Sequence, residues 1–192
     1  MTELVKAFLA AAVSLAIGLA ITERLLRDGG PFDVVRIGAW NIATRAGAAD
    51  ADPYTRASLQ RSGEIPLALG EGLQLIARDD DQGRPLDPRC VYGVGPRAPS
   101  ARYWTLELVD LDGFPVDNPA QRSVFRSSEI LRAADGSFSI WISAMAHPGN
   151  WLPIGAARPF ALVLRLYDSP ISLTSGGIED TNAPRISREA CA

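Results

Sequence analysis

Lysine is nearly absent from this chain: Lys6 is the only one among 19 basic residues. Histidine occurs once, as His147, and cysteine twice, as Cys90 and Cys191. So few imidazoles and thiols exclude a metal site built from paired cysteines and histidines at ligand spacing. There is no G-x-S-x-G elbow, no phosphate-binding loop and no dinucleotide glycine fingerprint, so no motif names a reaction or requires a cofactor. The arginines are interleaved with 22 acidic residues, for a formal net charge of −3. That balance supplies no basic face to attract polyphosphate, and nucleic acid is not an expected partner. Internal repeats and low-complexity segments are missing too.

What is present is a 47% apolar fraction with 21% charge and four Trp, enough apolar surface to offset the entropy of ordering a chain. Of the 192 residues, the first thirty differ in character from the rest. We divide the chain into residues 1–30 and a body over 31–192 with an extended C-terminal tail. Ala7 to Ile21 form an uncharged run whose only polar side chain is Ser14, and Leu4 and Val5 extend it if Lys6 snorkels. Such a helix is about 27 Å long at ~1.5 Å per residue, close to the about 30 Å of a bilayer's hydrocarbon core. A membrane anchor, a cleaved signal peptide and a buried core helix are the alternatives. Glu23 to Arg27 continue with helical character where a cleavage region should break, which favours the uncleaved anchor. Charge does not orient it, because Lys6 on one side faces Arg24 and Arg27 on the other. The cysteines do: Cys191 in a polar tail has little packing role as a free thiol, and a Cys90–Cys191 bridge requires an oxidising compartment.

In the body, Asp33 to Thr44 read as a first strand, and Asp52 before Pro53 reads as the cap of a helix over Tyr54 to Ser62 that Gly63 stops. Beyond it no stretch keeps a helical period. Strands follow on either side of an acidic turn containing Gly83, then across ARYWTLELVD with an Asp112-Gly113 turn. Asp135-Gly136 is the clearest hairpin signal, and PFALVLRLY alternates with Phe160, Leu162, Leu164 and Leu166 on one face. Many short strands with one short helix predict a mainly β domain, an antiparallel sandwich or jelly roll behind an N-terminal transmembrane helix. Parallel α/β is disfavoured, since crossover helices are missing. The tail from Ser169 is expected to run as extended loop until Cys191 pins it.

Candidate site residues are few. Asp110, Asp112, Asp117 and Asn118 could offer oxygens to calcium, but lack the spacing of a binding loop and read as turn formers, so no metal is expected. Asp79-Asp80-Asp81 reads as a solvated hairpin tip. Glu64, Glu71, Glu107 and Glu129 could supply the acid pair of a glycoside hydrolase, though sequence places no two together. His147, between Ala146 and Pro148, reads as a turn residue. Trp151 suits either a loop plug over the end of the sandwich or a stacking platform for a ligand. Arg165 lies mid-strand, on the face of Val163 and Tyr167; it either lines a polar pocket or sits on an open outer face.

The series DPYTRA, GEGLQLIARDDDQGRPL, RCVYGV, ARYWTLELVDLDGFPVDN, DGSFSI, NWLP and PFALVLRLY resembles the bacterial family called domain of unknown function 1214, from about Asp52 to Tyr167. The resemblance implies a jelly-roll-like β fold. It also implies a companion, domain of unknown function 1254, which would here be a second polypeptide. It transfers no reaction. It places emphasis on Asn150, Trp151, Leu152 and Pro153 in one motif and on Arg165 and Tyr167 in another, and suggests that the loop of Trp151 folds back as a cap. The resulting expectation is a binding or accessory subunit of a membrane protein complex, anchored in the bacterial inner membrane with its body on the periplasmic side. The alternative is a hydrolase of carbohydrate or lipid-derived envelope material.

Overall fold

The computed structural model describes residues 2–27, 34–62, 65–68, 70–155, 158–169 and 183–191. Glu64 and the Ser175-Gly176-Gly177 part of the tail lie outside them. Helix α1 (Thr2–Arg27) carries the apolar run, and Leu4, Phe8, Leu15 and Leu19 on it are each more than 60% exposed. Within Thr2 to Leu26 an 18-residue window has a mean hydropathy of 2.3, so in length and composition the helix suits a membrane anchor or a signal sequence. Helix α2 (Pro53–Ser62) starts as expected: the Asp52 carboxylate accepts hydrogen bonds from the amides of Tyr54 (2.9 Å) and Thr55 (3.1 Å). Its hydrogen bonds also reach the end of α1. Ser58 donates to the Leu26 carbonyl at 3.0 Å, and Arg61 donates twice to Glu23 at 2.9 and 3.0 Å.

The remaining elements are strands: β1 (Val34–Ile37), β2 (Trp40–Ala43), β3 (Gly72–Ala77), β4 (Cys90–Gly95), β5 (Tyr103–Asp110), β6 (Val124–Arg126), β7 (Ile140–Ser143), β8 (Asn150–Pro153), β9 (Phe160–Tyr167) and β10 (Arg185–Cys191). They form a six-stranded sheet in the order β1-β2-β3-β9-β5-β6 and a four-stranded sheet in the order β10-β4-β7-β8. The mainly β, two-sheet architecture is as expected, with one departure: β7 and β8 pair in parallel. Strand β9 is central, its even positions Phe160, Leu162, Leu164 and Leu166 all but fully buried. They pack with Leu75, Leu106 and Leu108 from the same sheet and with Tyr92, Ile140, Ile142 and Leu152 from the other, in one apolar cluster. Each such side chain contributes about 1.5–3 kcal/mol on burial.

Four sequence expectations are corrected. Where one strand was expected over Asp33 to Thr44, Val34 to Ala43 form a hairpin, because Gly38 takes a φ of +56° and reverses the chain between β1 and β2. The acidic turn and Asp135-Gly136 form as turns, but the strands beside each lie in different sheets, so neither closes a hairpin. The NWLP segment is strand β8, not a capping loop. Finally, the end of the tail is strand β10, paired with β4 from Arg185 opposite Gly95 to Cys191 opposite Cys90. The disulfide joins those last two residues, with Cα atoms 3.9 Å apart.

Candidate functional site

The outer face of the six-stranded sheet does not lie open. Odd positions of β9 place Ala161 and Val163 there, joined by Val109 of β5 in a small apolar cluster against which Ile76 of β3 packs. All three of the first are less than 5% exposed. This face, α2 and the chain around it line a cleft of about 1090 Å³. Its floor is Gln74, Ile76, Val109, Ala161, Val163 and Arg165. Thr55, Ser58 and Leu59 of α2 line it, with Leu26 from the end of α1. Leu67 stands on one side and the Leu111–Phe114 turn on another.

Arg165 is the polar feature of the floor. Strand pairing sets it opposite Gln74 on one side and Thr105 on the other. Its Nε donates to Gln74 Oε1 at 3.0 Å and its Nη1 makes a short contact to Glu107 Oε2. The Arg165 and Glu107 side chains are only 22% and 19% exposed, so the pair is largely out of water. Of the two readings of Arg165, the pocket-lining one matches its place. Tyr167 continues the same face two residues on, beyond the cleft, with its ring 5.9 Å from that of Tyr103.

Asn150 and Trp151 lie on the other sheet, so the two emphasised motifs do not converge on one site. Asn150 is buried, accepting from the Leu131 amide at 2.8 Å and donating to the carbonyls of Leu131 (2.9 Å) and Ser139 (3.0 Å). It fastens the 131–139 connection to β8. The Trp151 indole N–H donates to the backbone oxygen and hydroxyl of Ser143, each at 3.1 Å. His147 stacks on Trp141 with ring centres 4.1 Å apart.

Several of the acidic candidates are engaged. Asp110 accepts from the amides of Asp112 and Phe114, and Asn118 bonds the Arg122 amide and carbonyl, as turn formers do. Glu129 pairs with Arg126 at 2.9 Å, which holds its carboxyl below the usual range. Among the described residues no group of three or more His, Cys, Asp or Glu is arranged to hold a metal ion. Asp80 corrects the picture of a solvated acidic tip, being 1% exposed. Burial alone would push its carboxyl up. The amides of Arg84 and Gln82, the Arg84 guanidinium and the Arg188 charge together hold it below the ordinary value. Arg188 Nε stands 3.0 Å from Asp80 Oδ2 and the guanidinium lies over the Tyr92 ring, tying β10 to the turn.

Sequence reasoning did not assemble the cleft. Its floor comes from three strands and one wall from a helix at least ten residues away in sequence, so only the alternation that put Val163 beside Arg165 hinted at it.

A family model described as "Protein of unknown function (DUF1214)" matches residues 71–171, starting at Glu71 and so leaving α2 outside the matched span. No curated protein matches the chain significantly. Among solved structures, the chain is similar to the VPA0106 protein from Vibrio parahaemolyticus at 21% identity and a TM-score of 0.59, covering 94% of this chain and 44% of that one. An uncharacterised protein from Burkholderia cenocepacia is matched at 21% identity and a TM-score of 0.43, over 77% of this chain and 48% of that one. The chain therefore spans less than half the length of either protein, and the first likeness speaks to fold alone.

Proposed function

The chain belongs to the DUF1214 family of unknown function, and from that premise we propose that it is a membrane-anchored binding domain, a β-sandwich of jelly-roll type that serves as an accessory subunit of a membrane protein complex. In this reading α1 stays in the bacterial inner membrane and the body faces the periplasm, where the Cys90–Cys191 bridge is stable. The observation that carries the reading is the cleft between the outer face of the six-stranded sheet and α2, which Leu26 at the end of the apolar helix also lines. A cavity of about 1090 Å³ whose floor is apolar at Ile76, Val109, Ala161 and Val163 and whose lining also holds Arg61, Arg78, Asp112 and Arg165 has the form of a ligand site. Binding is favoured over hydrolysis because Glu107 is committed to Arg165, and Asp110 to its own turn. The hydrolase alternative requires one of these carboxylates to leave its partner.

The test is purification of the full chain from native membranes in mild detergent. We expect one membrane protein to be recovered with it in constant ratio. Repeated recovery of the chain alone overturns the accessory role.

A further inference from the structure

The end of α1 fixes the level at which a bilayer surface meets the body. Every residue from Thr2 to Ile21 is exposed, whereas Thr22, Glu23, Leu25 and Leu26 are partly buried, so the body begins to pack on the helix at the residue where the apolar run stops. Glu23 and Leu26 follow Ile21 by about 3 and about 7.5 Å along the axis, at ~1.5 Å per residue. The headgroup layer of one leaflet is roughly 5–8 Å deep, half the difference between a whole bilayer and its hydrocarbon core. Groups fixed to these two residues therefore stand at headgroup level.

Two parts of the body are so placed. Ser58 and Arg61 of α2 bond to the Leu26 carbonyl and to Glu23. The 111–114 turn lines the same cleft as Leu26 and Arg61, and Asp112 lies near enough to Arg61 to act on its charge. That turn is closed from within, Asp110 accepting from the amides of Asp112 and Phe114, and it leaves Leu111 and Phe114 51% and 58% exposed. Ile65, just past the end of α2, is 88% exposed. Outside α1, seven large apolar side chains are exposed among the described residues, and of these only Leu131 and Met145 belong to the connections on either side of β7 in the other sheet.

We infer that the 111–114 turn and Ile65 form a second membrane contact, which seats the body on the leaflet from which α1 emerges, with Leu111, Phe114 and Ile65 set among the lipid headgroups. The charged residues around them would bar insertion into hydrocarbon but suit the headgroup layer, where water and phosphates solvate charge. Arg24, Arg61 and Arg78 are matched by Glu23, Asp110 and Asp112, so the contact draws on apolar area and not on anionic lipid. Three side chains would hold a free domain weakly. The span, however, has already brought the body to the surface, and the second contact closes within one molecule. The inference rests on the reading of α1 as a membrane span.

The experiment attaches a nitroxide to one added cysteine in the full chain, reconstituted in vesicles of phosphatidylethanolamine and phosphatidylglycerol. The Cys90–Cys191 bridge is kept oxidised, so only the added thiol reacts. Collisions with oxygen, which concentrates in lipid, and with a water-soluble nickel complex report where the label sits. The oxygen-to-nickel ratio should be highest at Leu19→Cys, lower at Phe114→Cys and Ile65→Cys, and lowest at Leu131→Cys and Met145→Cys. A nitroxide can draw its own site into lipid, so the decisive arm keeps the label at Ile65→Cys and changes the exposed pair Leu111→Asp and Phe114→Asp. The seated-to-lifted ratio is expected to fall about tenfold, seen as lost oxygen contact and gained nickel contact at position 65, with position 19 unchanged. Vesicles without phosphatidylglycerol should give the same values. Ratios at 114 and 65 no higher than at 131 and 145 while position 19 is in lipid, no response of position 65 to the aspartates, or a requirement for phosphatidylglycerol overturns the inference. So does a label at 114 that meets neither reagent, which would put a protein over the turn. A ratio at position 19 as low as at 131 overturns the reading of α1 as a span along with it.

Discussion

The two sheets share one core but their outer faces have opposite characters. On the four-stranded sheet, the outward groups satisfy one another: Trp151 donates to Ser143, His147 covers Trp141, and the Ser187 hydroxyl reaches Glu189 at 2.7 Å. The aromatic and polar side chains there complete the architecture. On the six-stranded sheet, Val163 and its neighbours are buried and form the floor of a cleft that a separate helix also lines. The difference teaches that a conspicuous motif such as NWLP can be structural, while a cavity arises where elements distant in sequence meet around unremarkable residues.

The comparison is open to direct perturbation. The largest effect is expected on the four-stranded sheet, from replacing Cys90 and Cys191 by Ser. The bridge closes a loop spanning 101 residues of sequence separation. In the chain-entropy account its loss destabilises by up to about 4.7 kcal/mol, measured as the shift in urea midpoint of the full chain in detergent. Asn150→Ala comes next. It deletes three hydrogen bonds and leaves the Leu131 amide and carbonyl without that partner. A loss of about 3 kcal/mol is expected, with recovery of the membrane partner unchanged if the remaining protein is folded. A drop in recovery at full stability would give the NWLP strand a binding role.

On the other face, Arg165→Met strands Glu107 among partly buried groups and should cost about 1–3 kcal/mol, with the double change Arg165→Met, Glu107→Met recovering part of it. A double-mutant cycle measures that coupling. Additive single effects would mean that the pair does not hold the cleft floor together. The smallest effect concerns acid. Because Asp80 and Asp87 bind protons less readily folded than unfolded, their contribution is present above the ordinary aspartate pKa and is lost as pH falls through the folded value, about 2 for Asp87 next to Arg89. The urea midpoint should therefore decline as pH drops below about 4. Asp80→Asn should flatten part of that decline, since Asp80 is the residue that engages Arg188 of β10.

Much of the fold was readable because alternation maps onto burial in most of β5, where Trp104, Leu106 and Leu108 turn inward, and because it set Leu162, Leu164 and Leu166 of β9 on the core face, although Ala161 and Val163 on the opposite face are buried as well. Helix α2 was equally clear, since Asp52-Pro53 fixes its start through capping chemistry. What escaped has physical reasons. A turn signal reports local reversal and not which sheet the next strand joins, so Asp135-Gly136 suggested a hairpin that the topology does not contain. Strand β10 was hidden because only Ile186 among its residues is buried, and its order comes from pairing with β4, the Asp80–Arg188 contact and the disulfide. At the candidate site, Arg165 stood out as a charge between leucines. Its partners Gln74 and Glu107 are 91 and 58 residues away, and nothing local announces them.

The central claim is that binding belongs to the face next to the end of α1 and not to the tryptophan face. It is tested most directly by placing the photoreactive residue benzoylphenylalanine at Phe114 or at Trp151 in the full chain, within native membranes, and comparing the adducts. Adduct formation from position 114, with none from 151, is the predicted result. Adducts from 151 alone, or equal yields of the same product from both, would contradict it.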